Sequence, residues 1–330
     1  LTAFIHSKRA RLLQDGPVSS GPVVFWMSRD QRGHDNWALL FAQAEALQRK
    51  TPLAVIFNLV PNFLGATIRQ YGFMLRGLQE LEREFQRFNI PFFLLFGSPE
   101  KEIPKFVKQY SVSALVADFS PLRICRNWKG KVLSKVRIPF YEVDAHNIVP
   151  CWAASTKLEY AAYTFRPKIR RLLTEFLEPL PRLKKHPFSR NDKETKINWG
   201  HVRQRIKVDR NISEVDWINP GEKAARKMLQ TFLDERLASY ESKRNDPTEQ
   251  ATSNLSSYFH LGQIAPQRVA LEVEKHNGDL KAKAVFLEEL IVRRELADNF
   301  CFYQTAYDSF DGFPAWAKKT LNQHRSDRRE

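Results

Sequence analysis

The chain has 330 residues, 43% of them hydrophobic, and carries 52 Lys plus Arg against 37 Asp plus Glu, a net charge of +15. That length and apolar content support two folded domains and exclude a disordered chain; the cationic excess fits a nucleic-acid partner and a merely basic soluble enzyme equally well. Three cysteines (Cys125, Cys151, Cys301) without C-x-x-C spacing argue against a disulfide framework or a zinc site, and no apolar run reaches the roughly 18 residues of a membrane span.

Residues 1–20 are polar and basic, carry no signal-peptide pattern and read as a leader; a start at Leu1 rather than Met suggests a trimmed N-terminus. A regular alternation follows. Apolar runs at 23–27, 53–57, 92–96, 114–117 and 139–143 read as buried strands. Helical spacing marks 36–50, 68–88 and 100–109, with one more helix before the last strand. Buried strands alternating with amphipathic helices imply a doubly wound parallel sheet, a Rossmann-like α/β domain over 21–145. Residues 146–220 are proline-rich and read as a connector, with a helix at 157–177 that Pro167 must break or kink. From 221 to 330 the pattern is wholly helical, with segments expected at 222–239, 266–275 and 280–300.

The run from Met27 to Trp37 follows the first strand, where open α/β sheets bind ligands. It lacks both the G-x-G-x-x-G and the P-loop patterns, and Asp35 or Asn36 equally suits a helix cap. Tyr240 and Arg244 precede the cluster Thr252, Ser253, Asn254, Leu255 and Ser256. Short hydroxyl and amide side chains ahead of a helix can bind phosphate or simply cap it, and local chemistry leaves both readings open. Further on, helical spacing would place Phe286, Glu289, Leu290, Arg293, Ala297 and Phe300 on one face, with Glu289 and Arg293 as an (i, i+4) ion pair. A carboxyl on such an apolar face can hold its proton and donate a hydrogen bond. Arg166, Lys168, Arg170, Arg171, Arg182, Lys184 and Lys185 outnumber Glu175 and Glu178, and the segment 315–330 is basic as well. Such runs are solvated faces or phosphate contacts.

In order and spacing, these segments resemble the photolyase/cryptochrome family, in wording closest to the class II cyclobutane pyrimidine dimer DNA photolyases. The likeness extends from about residue 23 to 329. It is carried by 27–37, 63–66, 70–78, 240–267 and 284–325, including Asn299-Phe-Cys-Phe-Tyr303 and Phe313-Pro-Ala-Trp-Ala317. The resemblance implies an α/β antenna domain that holds a light-harvesting chromophore of the deazaflavin type, followed by an all-α domain that binds FAD. By the same resemblance, Tyr240 and residues Thr252, Ser253, Asn254, Leu255 and Ser256 contact the flavin. Arg244 contacts DNA, Glu289 touches the pyrimidine dimer during cleavage, and Arg293 faces dimer or flavin. The implied activity is light-driven repair of dimers in damaged DNA, without a metal, by a monomer that needs no membrane. The compartment is intracellular: cytoplasm in a prokaryote, nucleus or organelle in a eukaryote.

The resembling family continues past the position of Glu330, with the rest of the flavin cavity and the aromatic chain that reduces the flavin. The chain is therefore expected to be a fragment. Two other readings share the fold: a cryptochrome-like blue-light sensor without repair, and a flavin-free DNA-binding remnant.

Overall fold

A computed structural model describes residues 5–17, 19–189 and 196–328. The start of the expected leader (1–4), residue 18, part of the expected connector (190–195) and the end of the basic C-terminal run (329 and 330) lie outside the described residues. Six strands form one sheet: β1 (Ala10–Gln14), β2 (Val23–Met27), β3 (Leu53–Leu59), β4 (Phe92–Phe96), β5 (Ala114–Asp118) and β6 (Phe140–Val143). Their order is β1-β6-β5-β2-β3-β4, parallel throughout except that β1 runs antiparallel to β6. The expected leader thus contributes an edge strand. Its sequence Ala-Arg-Leu-Leu-Gln lacks the alternation that marks a strand, and pairing with β6 overrides local preference.

The period-two geometry of β2 divides its side chains between two cores. Val23, Phe25 and Met27 pack with Trp37 and Leu40 of α1 (Trp37–Arg49) and Leu75 and Leu78 of α2 (Ile68–Arg87). Val24 and Trp26 pack on the opposite face with Ile103 and Phe106 of α3 (Pro99–Gln109) and Val132 of α4 (Arg123–Leu133). Each large apolar side chain buried this way contributes about 1.5–3 kcal/mol. Helices on both faces of a parallel sheet are the doubly wound arrangement that the sequence predicts.

The remaining chain is helical: α5 (Cys151–Ala154), α6 (Ala162–Phe176), α7 (Trp199–Arg205), α8 (Glu222–Glu235), α9 (Leu237–Lys243), α10 (Ser256–His260), α11 (Pro266–Lys275), α12 (Leu280–Leu287), α13 (Arg294–Tyr303) and α14 (Ala315–Gln323). A third core joins Phe165, Ile169 and Phe176 of α6 to Phe232, Tyr240, Val269 and Phe286. The helix expected at 157–177 begins at Ala162 and runs unbroken through Pro167. Pro167 lies on the exposed side of α6, so the N–H it lacks is lost where water can serve the free carbonyl. The helix expected at 222–239 is two helices, because the chain turns at Arg236 (φ −125°) before Leu237 and Tyr240 enter the core. The helix expected at 280–300 reaches Tyr303 and is interrupted by a π-helical turn, Glu288–Arg293. Among the described residues no helix is long and apolar enough to cross a membrane.

Candidate functional site

The sheet reverses its winding between β5 and β2, the crevice where open α/β sheets hold ligands. Here that crevice is filled by the helical region. Asp118, at the end of β5, accepts the backbone N–H groups of Ser28, Arg29 and Asp30 at 3.0, 2.8 and 2.9 Å. That fixes the loop after β2 and aims Arg29 at Asp298 of α13, with N–O distances of 2.7 and 2.9 Å. Burial opposes the charges on both partners, but their mutual attraction prevails: it raises Arg29 and holds Asp298 down to about 2. Arg32 spans the same junction, donating to Asp30 (2.6 Å), Ala145 O (2.6 Å) and Gly262 O (3.0 Å). Gly262 (φ +61°) is required there, because a Cβ would stand 2.4 Å from the Arg29 carbonyl oxygen. Asn36, not Asp35, caps α1, accepting from Ala38 and Leu39. Asp35 instead takes Arg226 (3.0 Å) and Arg268 (2.8 Å) from the helical region. The residues after β2 are a latch between the two regions.

Of the second predicted constellation, the structure sets Arg244 against Tyr240 and ties Thr252 to the same segment through Arg236. Tyr240 and Arg244 lie at successive turns of α9 and its C-cap, with the guanidinium 5.6 Å from the Tyr240 ring centroid. Tyr240 meets Phe286 of α12 edge to face at 5.2 Å. Burial raises the Tyr240 hydroxyl pKa; Arg244 works against that shift and the nearby Glu289 carboxylate adds to it. Residues 252–256 are tied to this segment by the contact of Arg236 with the Thr252 carbonyl. Thr252, Asn254 and Ser256 are exposed, Ser253 is half-buried with its Oγ 3.4 Å from Leu255 N, and Asn254 adopts φ +56°. Leu255 differs: its side chain is buried in the helical core, leaving only its backbone for a ligand. No side chain caps α10.

Arg236 is a residue that the sequence reading missed. It donates to Thr252 O at 3.3 Å, and its Nε, like Arg244 Nη1, is buried without a hydrogen-bond partner. The signal was present as Arg236, Tyr240 and Arg244 at four-residue intervals. Arg236 Nε and Arg244 Nη1 are the two guanidinium N–H groups left unpartnered here, and Thr252, Asn254 and Ser256 next along the chain are exposed. Arg236 Nε with the neighbouring hydroxyls fits a dinucleotide pyrophosphate.

The third expectation is corrected. Glu289 and Arg293 do not form an ion pair, because the π-helical turn that contains both replaces the α-helical (i, i+4) register. Arg293 is exposed, and its Nε lies 3.9 Å from Glu288. Glu288 is instead clasped by Arg166 of α6 at 2.7–3.1 Å. Ala297 is exposed as well, while Phe286 and Leu290 are buried and Glu289 and Phe300 are half-buried, so the six residues do not share a face. Glu289 remains on the same wall as Tyr240.

A separate cleft of about 310 Å³ opens between the loop after β2, α2 and the start of α8. Its rim carries Gln31, His34, Glu80, Glu84, Glu222 and Arg226. His34 Nδ1 lies 3.2 Å from Glu222, whose hydrogen bond raises the imidazole pKa. Among the described residues no cluster of His, Cys, Asp and Glu is arranged to hold a metal ion.

The family model for DNA photolyase matches residues 23–185. A protein of Potorous tridactylus named deoxyribodipyrimidine photo-lyase is 48% identical over 98% of this chain and 62% of its own length. Proteins of the same name from Arabidopsis thaliana and Methanothermobacter thermautotrophicus are 44% and 34% identical, with 70% and 72% of their lengths covered. The chain therefore spans under two thirds of the marsupial relative. Among solved structures, a class III photolyase of Agrobacterium tumefaciens aligns with a TM-score of 0.71 at 19% identity, over 93% of this chain and 66% of that one. A Synechocystis cryptochrome aligns at 0.69 and 17% identity, over 88% and 63%. At these identities the two structures bear on the fold, which they share. By the identity and coverage of its sequence relatives, the chain belongs to the DNA photolyase family.

Proposed function

We propose that this chain carries the antenna domain and one wall of the flavin and lesion site of an enzyme that reverses cyclobutane pyrimidine dimers in DNA under light. One observation carries the reading: Tyr240 lies against Arg244 and near Glu289, Arg236 reaches Thr252, and Arg236 Nε and Arg244 Nη1 are buried without a protein acceptor. FAD, when bound in its reduced form, supplies the light-excited electron donor. Arg236 and the Thr252, Ser253 and Ser256 hydroxyls would hold its pyrophosphate, with the Leu255 backbone alongside and Tyr240 packing below. Glu289 would offer a hydrogen bond to the dimer, and Arg244 and Arg293 would meet DNA phosphates. Extrusion of the lesion is cheaper than that of an intact pair, since its stacking is already weakened. The three sequence relatives reported above carry the name deoxyribodipyrimidine photo-lyase, which favours repair over light sensing.

An antenna chromophore of the deazaflavin type belongs to the same proposal. The 310 Å³ cleft beside His34 offers carboxylate and amide partners suited to a polyhydroxylated chain. The protein is taken to act as an intracellular monomer.

The test is illumination of the flavin-loaded protein, expressed from its complete reading frame, with an oligonucleotide containing one dimer. Dimer loss requires light, and Glu289→Ala lowers the yield per absorbed photon several-fold while dimer binding changes less. An unchanged yield removes the role given to Glu289. No light-dependent repair by a flavin-loaded wild type favours the sensor reading.

A further inference from the structure

Tyr160 and Tyr163 are 75% and 62% exposed, with ring centroids 5.9 Å apart at 82° and hydroxyl oxygens 2.5 Å apart. Single exposed aromatics are ordinary, whereas two that lock each other in place are not. Tyr163 stands on the outer stripe of α6, where helical spacing also brings Arg166 and Arg170; Phe165 and Ile169 anchor the opposite face in the core. Lys157, Arg170 and Arg171 are exposed nearby. The one carboxylate between 157 and 171, Glu159, is bonded to Lys168 and Ser155. Arg166 grips Glu288, the residue next to Glu289, so the stripe is fixed against the π-helical turn.

We propose that Tyr160 and Tyr163 form a stacking shelf for the DNA bases left unpaired opposite an extruded lesion, with Arg170 and Arg171 holding the adjoining phosphates. This rests on the DNA-repair reading above. Aromatic rings interleaved with cations suit unstacked bases, whose faces accept a ring irrespective of sequence. The hydroxyl contact between the tyrosines fixes their rotamers before binding, which lowers the ordering cost. The shelf faces no carboxylate of its own segment, so a polyanionic strand fits it electrostatically better than an acidic protein surface does.

The test compares two dimer-containing duplexes in the dark, one with adenines opposite the lesion and one abasic there. The Tyr160→Ala, Tyr163→Ala double variant should bind the first on the order of tenfold more weakly and the second as the wild type does. The Tyr160→Phe, Tyr163→Phe pair keeps the rings and should retain most of the affinity; an equal loss for Phe and Ala would sink the stacking role even if the Ala variant folds poorly. Equal losses on both duplexes, or none on either, would show that the shelf does not read unpaired bases. A wild type that binds neither duplex overturns the repair reading itself. A wild type that binds both, with variants indistinguishable from it, overturns the shelf alone.

Discussion

At the scale of residues, charge buried at the junction decides more than charge on the surface. Glu295 of α13 accepts the N–H of Ile148 at 2.6 Å, yet burial pushes its carboxyl up to about 8 against the pull of Arg294. An acid whose folded pKa lies above its unfolded value stabilises the fold below that unfolded value, and the contribution fades as pH rises through about 8. His146, lowered to about 4 chiefly by burial, slopes the other way, but only up to its ordinary value of 6.5. His34, raised by its bond to Glu222, slopes in the same sense as Glu295. The wild-type denaturation midpoint should therefore fall between about pH 6.5 and 8, and Glu295→Gln should fall less. Parallel slopes from urea titrations at several pH values would contradict this. Glu295 carried no sequence signal: one acid among its helix neighbours looks like any other until the fold buries it. Helical spacing and the resemblance both singled out Glu289, but the expected pairing with Arg293 is lost in the π-helical turn.

At the scale of elements, strands and helices with strong periodicity were legible, and those defined by partners were not. The strands at 23–27 and 92–96 and the helix α2 have the bounds their apolar pattern predicts, to within a residue. Strand β1 escaped notice because it exists through β6, and the π-helical turn because no composition marks one. The cap of α1 shows how a local signal gains tertiary weight. Asn36 accepts from Ala38 and Leu39 while its Nδ2 donates to Asp30 O and Arg32 O, each at 3.1 Å, so it secures both the helix and the latch loop. Asn36→Ala should cost about 2 kcal/mol, at the upper end for a cap, read as a lower urea midpoint at unchanged slope. Asn36→Asp, which keeps the acceptor and loses the donor, should fall between the two. A loss below the usual range for caps would mean that the loop is held by Asp118 alone.

At the scale of the whole molecule, ion pairs and a backbone contact join the two regions. Arg29–Asp298, the Arg32 bond to Gly262 O and the pair of arginines on Asp35 close the crevice that an α/β sheet would ordinarily lend to a nucleotide. We place the proposed flavin chemistry instead on the wall built by α9, residues 252–256 and the π-helical turn. The sequence indicated the types of residue on that wall, but the unpartnered nitrogens of Arg236 and Arg244 appear only in the folded chain. The central claim is that this wall holds a flavin. Its most direct measurement is the blue-light absorbance retained after the protein, expressed from its complete reading frame, is incubated with FAD and passed through gel filtration. The account predicts one flavin carried per chain, and weaker retention in Arg236→Ala; a colourless protein that takes up no flavin would contradict it.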